Sequence, residues 1–141
     1  MQENLIQQMA SNKFKKEYLA DVSGILPVKK GTINKPIARK PNSIIERCIS
    51  SDGKQAITHF EVLQEFSSFS LVKCTLETGR THQIRAHFAS IGHPLVGDDL
   101  YGTKSDLIIG QALACSRLSF YHPVSNNYIS FCLNDCPFDF L

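Results

Sequence analysis

The chain has 141 residues, of which 43% are hydrophobic and 20% charged, and its formal net charge is +2. This composition suits one globular domain with its own core and excludes disordered and fibrous proteins. The sequence has neither a run of about 18 apolar residues nor the apolar stretch of a signal peptide, so no membrane partner is expected. Five cysteines, odd in number and without a CxxC pair, predict reduced thiols and a cytoplasmic protein.

The positive charge is concentrated in the first part of the chain. Residues 1–60 hold ten Lys or Arg against five Asp or Glu, whereas residues 61–141 hold five against eight. A basic surface attracts phosphates independently of sequence, although an ordinary solvated surface explains the same pattern equally well. The candidates for phosphate contacts are Lys13, Lys15, Lys16, Lys29, Lys30, Lys35, Arg39 and Lys40.

The first half of the chain predicts a helix, a strand and a long irregular segment. Apolar residues have helical spacing within residues 1–12, without a preceding cap motif. Residues 18–22 alternate as in a strand, which Ser23 and Gly24 end. Residues 25–53 are rich in proline and lysine and predict loop with short extended pieces.

The second half predicts two hairpins with a helix between them. Residues 56–63 and 69–76 alternate around a short connection, and residues 112–121 and 128–133 form a second pair. Residues 80–91 change to a helical period, and a glycine and a proline follow as a stop. The sum is an α+β domain with a mainly antiparallel mixed sheet and flanking helices.

The most informative stretch is LETGRTHQIRAHFASIGHPLVGDDLYG, residues 76–102. It resembles the signature of the RluA-type RNA pseudouridine synthases, in which TGRTHQIR leads a helix and GHPLxGDxxYG follows it. Three further segments are similar to family motifs in the same order: KEYLA at 16–20, GKQAITHFEVL at 53–63 and the LxFxHP ending at 118–123. The resemblance covers almost the whole chain and implies the catalytic fold of that family.

The resemblance implies an active site that needs no metal and no organic cofactor. In the family, an aspartate attacks a uridine in RNA, the base leaves its ribose, rotates and rejoins through carbon 5. Arg85 matches the arginine that pairs with this aspartate, and Tyr18 matches the tyrosine whose ring packs against the base. Leu76 and Ile84 are expected to form an apolar wall. Spacing alone would instead favour a solvent salt bridge for Arg85 and ordinary packing for Tyr18, and it does not separate function from packing for Leu76 and Ile84.

The turn that leads into the predicted helix is a candidate for binding RNA phosphate. Free backbone N–H groups and the positive end of the helix dipole favour anions at such a position. Capping of the helix by Thr78 and Thr81 is an equal alternative, and Asp98 and Asp99 are expected only to fix their loop. The candidate substrate-binding residues of this turn are Arg80, Thr81, His82 and Gln83.

One family element has no counterpart in this sequence. The nucleophile lies in an R-L-D-x-x-T-S-G motif before the tyrosine strand, and none of the seven aspartates here has that setting. We therefore expect residues 1–141 to be the C-terminal portion of the catalytic domain, inactive alone. An exposed sheet edge, and self-association through it, are expected consequences.

Two other classes of function remain. A noncatalytic RNA-binding module would keep the basic surface and Tyr18 without chemistry. A metal site built from histidines is disfavoured, because His82 and His87 lie about 140° apart around a helix. The sequence does not say whether the RNA partner is rRNA or tRNA.

Overall fold

A computed structural model of the chain describes residues 15–102, 105, 108, 111–121 and 128–132, with backbone alone for residues 15, 116–121 and 128–132. The helix predicted for residues 1–12 lies outside the described residues. The elements in chain order are β1 (Lys15–Ser23), β2 (Lys30–Asn34), β3 (Ile37–Arg39), β4 (Arg47–Ile49), β5 (Ile57–Glu65), β6 (Phe69–Leu76), α1 (Gln83–Ser90), β7 (Leu113–Tyr121) and β8 (Tyr128–Cys132).

Six strands form one sheet in the order β2-β5-β6-β1-β7-β8, and β3 pairs with β4 in a separate ribbon. Every described pairing is antiparallel. Both predicted hairpins are confirmed as β5–β6 and β7–β8, and the α+β class is confirmed with them. Within the described ranges, no helix is long and apolar enough to cross a bilayer.

The main core lies between the sheet and α1. Alternate residues of β1, β5 and β6 face the helix, because successive side chains of a strand point to opposite faces. Phe60 of β5 meets Phe88 of α1 in an edge-to-face contact with ring centroids 5.6 Å apart. The buried members of this cluster are Ala20, Val22, Leu26, Ile33, Phe60, Val72, Cys74, Ile84, Phe88 and Leu95.

The opposite face of the sheet carries a second, smaller cluster. Leu71 and Ala112 are buried there, with Leu19 and Val96 packed against them. Asp21 belongs to this face of β1, pairs with Leu71, and is 0% exposed. The central strand β1 is therefore covered on both faces, although its sequence alternation is typical of a strand with one wet face.

The helix α1 begins three residues later than its apolar spacing predicted. His82 precedes it in the left-handed region, with φ 56° and ψ 25°, and the Arg80 N–H is taken by the Gln83 side chain at 3.0 Å. At the other end the predicted stop is confirmed: Gly92 has φ 86°, and the His93 N–H donates to the Phe88 carbonyl.

A chain of buried hydrogen bonds fastens α1 to the sheet. The Gln83 amide N–H donates to the Thr58 hydroxyl at 3.0 Å, and that hydroxyl lies 2.8 Å from His87 Nδ1. The other ring nitrogen, His87 Nε2, lies 2.9 Å from the Lys35 carbonyl and donates to it. His87 is 0% exposed, and burial lowers its pKa, so the neutral ring is the form that completes the chain.

Candidate active site

A cavity of about 310 Å³ opens at the first turn of α1, against residues of β1, β6 and β7. Seven of the eight predicted site residues line it, and Thr81 lines a neighbouring groove instead. Gln111 and Leu113 complete the lining and were not foreseen. The residues around the cavity are Tyr18, Leu76, Arg80, His82, Gln83, Ile84, Arg85, Gln111 and Leu113.

Arg85 projects from the first turn of α1 and is held by an aspartate from the loop that follows the helix. Its Nε donates to Asp98 Oδ2 at 2.8 Å, and its Nη2 donates to Asp98 Oδ1 at 2.9 Å. The side chains are 13% and 0% exposed, so water screens this bidentate pair little. The guanidinium carbon also lies 5.1 Å from the Tyr101 ring centroid. The guanidinium thus has a fixed direction and does not point into bulk solvent.

Asp98 has further partners in its own loop. Its Oδ1 accepts the backbone N–H groups of Leu100 and Tyr101, each at 3.2 Å, which confirms the predicted loop-fixing role. Burial alone would raise the pKa of Asp98, but the Arg85 hydrogen bonds and these N–H groups bring the pKa below its ordinary value. The hydrogen bond from Asp98 raises the pKa of Arg85. Both groups are therefore charged at neutral pH.

The Arg85 guanidinium retains unused donors at the cavity. Two of its N–H groups serve Asp98, and a guanidinium carries five, so three have no partner among the described residues. No Asp or Glu is among the residues that line the cavity. The resemblance implied a catalytic aspartate as the partner of Arg85, whereas its partner in this chain is Asp98. The pairing with a nucleophile remains a prediction.

Tyr18 occupies the middle of the sheet, where β1 lies between β6 and β7. Its backbone pairs with Cys74 on one side and Cys115 on the other, next to a register shift in the β1–β7 pairing. The ring is partly buried against the core and lines the cavity with Leu76 and Ile84. Burial, and to a lesser extent Cys115, raise the pKa of Tyr18, so its hydroxyl stays protonated at neutral pH.

The turn before α1 is held together by hydrogen bonds other than the helix caps predicted for Thr78 and Thr81. No side chain caps the helix at His82. The Thr78 hydroxyl instead accepts the Ile57 N–H at 2.9 Å and donates to Gln83 Oε1 at 2.7 Å, which ties the turn to β5. Thr81 is exposed. Phosphate binding by this turn remains a prediction.

Gln83 lines the cavity but has no hydrogen-bonding capacity left for a ligand. Its amide nitrogen donates to the Ile57 carbonyl and the Thr58 hydroxyl, each at 3.0 Å, while its oxygen accepts from Thr78 and from the Arg80 N–H. An amide makes two bonds at each end, so all are used. Gln83 therefore shapes the cavity rather than offering a free polar group.

His82 connects the cavity to Tyr101 of the Asp98 loop. Its Nδ1 lies 2.7 Å from the Tyr101 hydroxyl, and that hydroxyl accepts the Arg47 N–H at 2.8 Å. Burial lowers the pKa of His82, and the positive charges of Arg85 and Arg47 lower it further. The neutral ring is favoured for this reason. Sequence reasoning missed Tyr101, although it lies in the recognised GDxxYG motif.

The histidines do not converge on a metal site in the described part of the chain. Both ring nitrogens of His87 are used to fasten the helix, and His82 Nδ1 is used by Tyr101. Among those residues no three His, Cys, Asp or Glu side chains are grouped for a metal ion.

Comparison with known proteins gives one consistent result. Residues 1–90 match the family described as RNA pseudouridylate synthase. The chain is 43% identical over 130 residues to the uncharacterized RNA pseudouridine synthase YlyB of Bacillus subtilis, covering 92% of this chain and 43% of that protein. It is 38% identical over 139 residues to the ribosomal large subunit pseudouridine synthase D of Xanthomonas campestris, covering 89% of this chain and 42% of that protein.

Solved structures agree with these sequence relatives. Human RNA Pseudouridylate Synthase Domain Containing 1 matches with a TM-score of 0.80 and 28% identity, over 94% of this chain and 59% of that one. The chain spans less than half the length of the curated relatives named above. The family match covers well over half of the chain, and it agrees with the motifs and the fold. The chain belongs to the RNA pseudouridylate synthase family, as its resemblance to the RluA-type enzymes predicted.

Proposed function

We propose that this chain forms one wall of the active site of an RNA pseudouridine synthase, which isomerises uridine in RNA to pseudouridine. The observation that supports this most strongly is the fixed Arg85 guanidinium, which keeps unused N–H donors at a partly apolar cavity lined by Tyr18. A uridine flipped out of its stack needs such an apolar and aromatic pocket. A carboxylate nucleophile stays ionised there when fixed N–H donors form hydrogen bonds to its charged form.

Each wall residue has a separate task in this proposal. The Tyr18 ring packs against the base, and contact with an aromatic face contributes about 1–3 kcal/mol. Leu76 and Ile84 exclude water from the other side of the base. The free donors of Arg85 hold the attacking aspartate while the glycosidic bond breaks. The base then rotates and rejoins the ribose through carbon 5, and the aspartate is released. The hydrogen on carbon 5 leaves as a proton, and N1, no longer bonded to the ribose, takes one up. No metal or organic cofactor takes part.

We propose further that residues 1–141 are the C-terminal portion of the catalytic domain and form no product alone. The support is chemical: the sequence contains no R-L-D-x-x-T-S-G motif, and no carboxylate lines the described cavity. The aspartate would come from a segment that carries this motif. We infer a cytoplasmic location for the enzyme from the cysteine usage of the sequence.

The test is a chimera in which this chain replaces the matched segment of YlyB. RNA transcribed with tritium at carbon 5 of uridine releases tritium when pseudouridine forms. We expect release by the chimera and none by the 141-residue chain, although the chain binds the RNA. Tritium release by the chain alone would refute its inactivity.

Two substitutions in the chimera test the role of Arg85. We expect Arg85→Ala to slow tritium release about 100-fold or more, because a fixed donor to a developing charge is lost from a partly dry site. Lys73→Ala is the matched control, since Lys73 lies outside the cavity and pairs with Glu61. Equal rates for the chimera and its Arg85→Ala variant would refute the proposed role.

Large-subunit rRNA is the first substrate to test, because the Xanthomonas relative is named for it. Transfer RNA is the second. A noncatalytic RNA-binding module is the competing function, favoured by the absence of a carboxylate among the residues lining the cavity. It predicts salt-sensitive RNA binding without tritium release from any chimera.

We also propose that the isolated chain self-associates. Ile44 and Ile45, between β3 and β4, are 83% and 59% exposed, and β2 lies at one edge of the six-stranded sheet. Light scattering over a wide concentration range tests this, and a constant monomer mass would refute it.

A further inference from the structure

A second and larger concavity lies beside the proposed uridine cavity. It has a volume of about 520 Å³ and is bounded by the β3–β4 ribbon, the segment after β4 and the turn before α1. Four cationic side chains and one carboxylate reach it: Arg39, Arg47, Lys54 and Arg80, with Asp52. We call this concavity the basic groove.

The cations of the basic groove are unpaired, unlike most others described in this chain. Lys29, Lys30, Lys40, Lys73 and Arg85 each lie within 4.0 Å of a carboxylate. None of the four groove cations makes such a pair within the described residues, although Asp52 lines the same groove. Four positive charges against one negative charge around one concavity favour a polyanionic ligand.

Arg80 connects the basic groove to the uridine cavity, because its side chain lines both. Its Nε donates to the Gln55 carbonyl at 2.8 Å, which fixes the direction of the guanidinium. Its terminal N–H groups make no bond to another described residue. A strand whose base enters the cavity would therefore have a neighbouring phosphate within reach of this arginine.

We propose that the basic groove binds the phosphodiester backbone of the RNA strand next to the uridine that enters the cavity. The proposal rests on the function proposed above. Three of the four cations are arginines, whose planar N–H forks match phosphate oxygens. The groove is also too large for a single phosphate ion, and it leaves room for a ribose and its two linkages. Asp52 opposes binding and reduces the net charge of the groove.

Variants of exposed groove residues test the proposal by RNA binding to the 141-residue chain. Arg39 and Lys54 are exposed and unpaired, so replacing them with glutamine leaves the fold intact. We expect each variant to bind a fluorescein-labelled single-stranded RNA about 3- to 10-fold more weakly near 0.1 M NaCl. The slope of log K against log salt should fall by about 0.7 for each lost phosphate contact.

One further variant should strengthen RNA binding, and another should leave it unchanged. Asp52→Asn removes the carboxylate from the groove, so we expect RNA to bind about 3-fold more tightly. Lys73→Gln removes a cation that lies on β6 outside the groove and pairs with Glu61, so affinity and salt slope should stay at the wild-type values. The proposal is overturned if Arg39→Gln and Lys54→Gln bind like the wild type.

A chemical change in the RNA tests whether the groove contacts the phosphate next to the uridine. A methylphosphonate linkage removes the charge of one phosphate, and the linkages on both sides of a single uridine are replaced one at a time. We expect one linkage to weaken wild-type binding but to have no added effect on Arg39→Gln or Lys54→Gln. The proposal is overturned if, at every position, the loss of affinity from the replaced linkage adds to the loss from the protein variant. Inorganic pyrophosphate that competes at micromolar concentration would instead identify a site for small phosphates.

Failure of this inference and failure of the proposed function give different results. If the chimera releases tritium while the groove variants keep wild-type affinity and salt slope, the groove assignment is wrong and the enzyme function stands. If the groove variants lose RNA affinity and the chimera releases no tritium, the chain is a noncatalytic RNA-binding module.

Discussion

Asp21 is a buried carboxyl group that we expect to make folding depend on pH. It is 0% exposed in the central strand β1, and neither of its oxygens has a hydrogen-bond partner among the described residues. Its near neighbours on that face, Leu71 and Ala112, are apolar. Burial raises the pKa of Asp21 from 3.8 to about 7, because the charged form loses its hydration without gaining a partner.

The sign and size of the effect follow from the two pKa values. Below pH 3.8 the carboxyl is protonated in both the folded and the unfolded chain, so it contributes nothing. As the pH rises from there to about 7, only the unfolded chain ionises, and the free energy of unfolding falls. At about 1.4 kcal/mol per pH unit the total loss is about 4 kcal/mol, reached just above pH 7.

Asp21→Asn tests this reasoning without a change in shape. The asparagine amide does not titrate, so the cost of burying it is the same at every pH. The informative quantity is therefore how the difference in the free energy of unfolding between the two proteins changes with pH. Urea unfolding followed by circular dichroism at pH 5 and pH 8 gives this difference. We expect the wild type to lose about 2–3 kcal/mol relative to Asp21→Asn over this interval. Asp52→Asn, at an exposed site, is the control and should parallel the wild type. Parallel curves for the wild type and Asp21→Asn would refute the argument.

Three further predictions concern the residues around the helix and the cavity. Burial lowers the pKa of His87, so stability should also fall as the pH drops below about 6.5, and His87→Gln should remove this loss in urea unfolding. Asp98→Asn leaves Arg85 without its carboxylate partner and should lower the free energy of unfolding by about 3–5 kcal/mol. A loss under about 1 kcal/mol would contradict a structural role for the pair. Tyr18→Phe should keep RNA affinity within about 2-fold in fluorescence anisotropy, because the ring makes the contact. Tyr18→Ala removes the ring and should weaken the free energy of RNA binding by about 1–3 kcal/mol.

Periodicity predicted the strands of the two hairpins and their pairing, because each of these strands has a consistent alternation. Strands β2, β3 and β4 lie in a segment that its prolines and lysines predicted as mostly loop. The pattern on β1 was less informative. Asp21 alternates with buried residues and would ordinarily face water, but Val96 and Ala112 cover that side of the strand. Whether a second layer covers a strand depends on distant segments, so a local pattern does not reveal it. The late start of α1 has a similar cause, because Thr78 and the Gln83 side chain tie the preceding turn to β5, and His82 takes a left-handed conformation just before the helix.

The candidate site was predicted by motif rather than by spacing. Seven residues that the motif named converge on one cavity, although apolar and polar patterns alone favoured ordinary packing or a solvent ion pair for the main ones. The pairing of Arg85 with Asp98 was not predicted, since it depends on how the loop folds back across 13 positions of sequence. Gln111 was missed because nothing in its sequence surroundings places it near α1.

The neutral pairing of Arg85 with Asp98 changes what the cavity offers to an incoming nucleophile. A lone buried arginine would attract any carboxylate by net charge, but Asp98 already balances that charge. A second carboxylate therefore gains mainly from the three unused N–H donors, which act only at hydrogen-bond distance and in fixed directions. A lysine at position 85 could supply the charge, but it could not hold Asp98 with two bonds and still present a planar set of donors. The geometry thus favours an arginine here for the directions of its bonds more than for its charge.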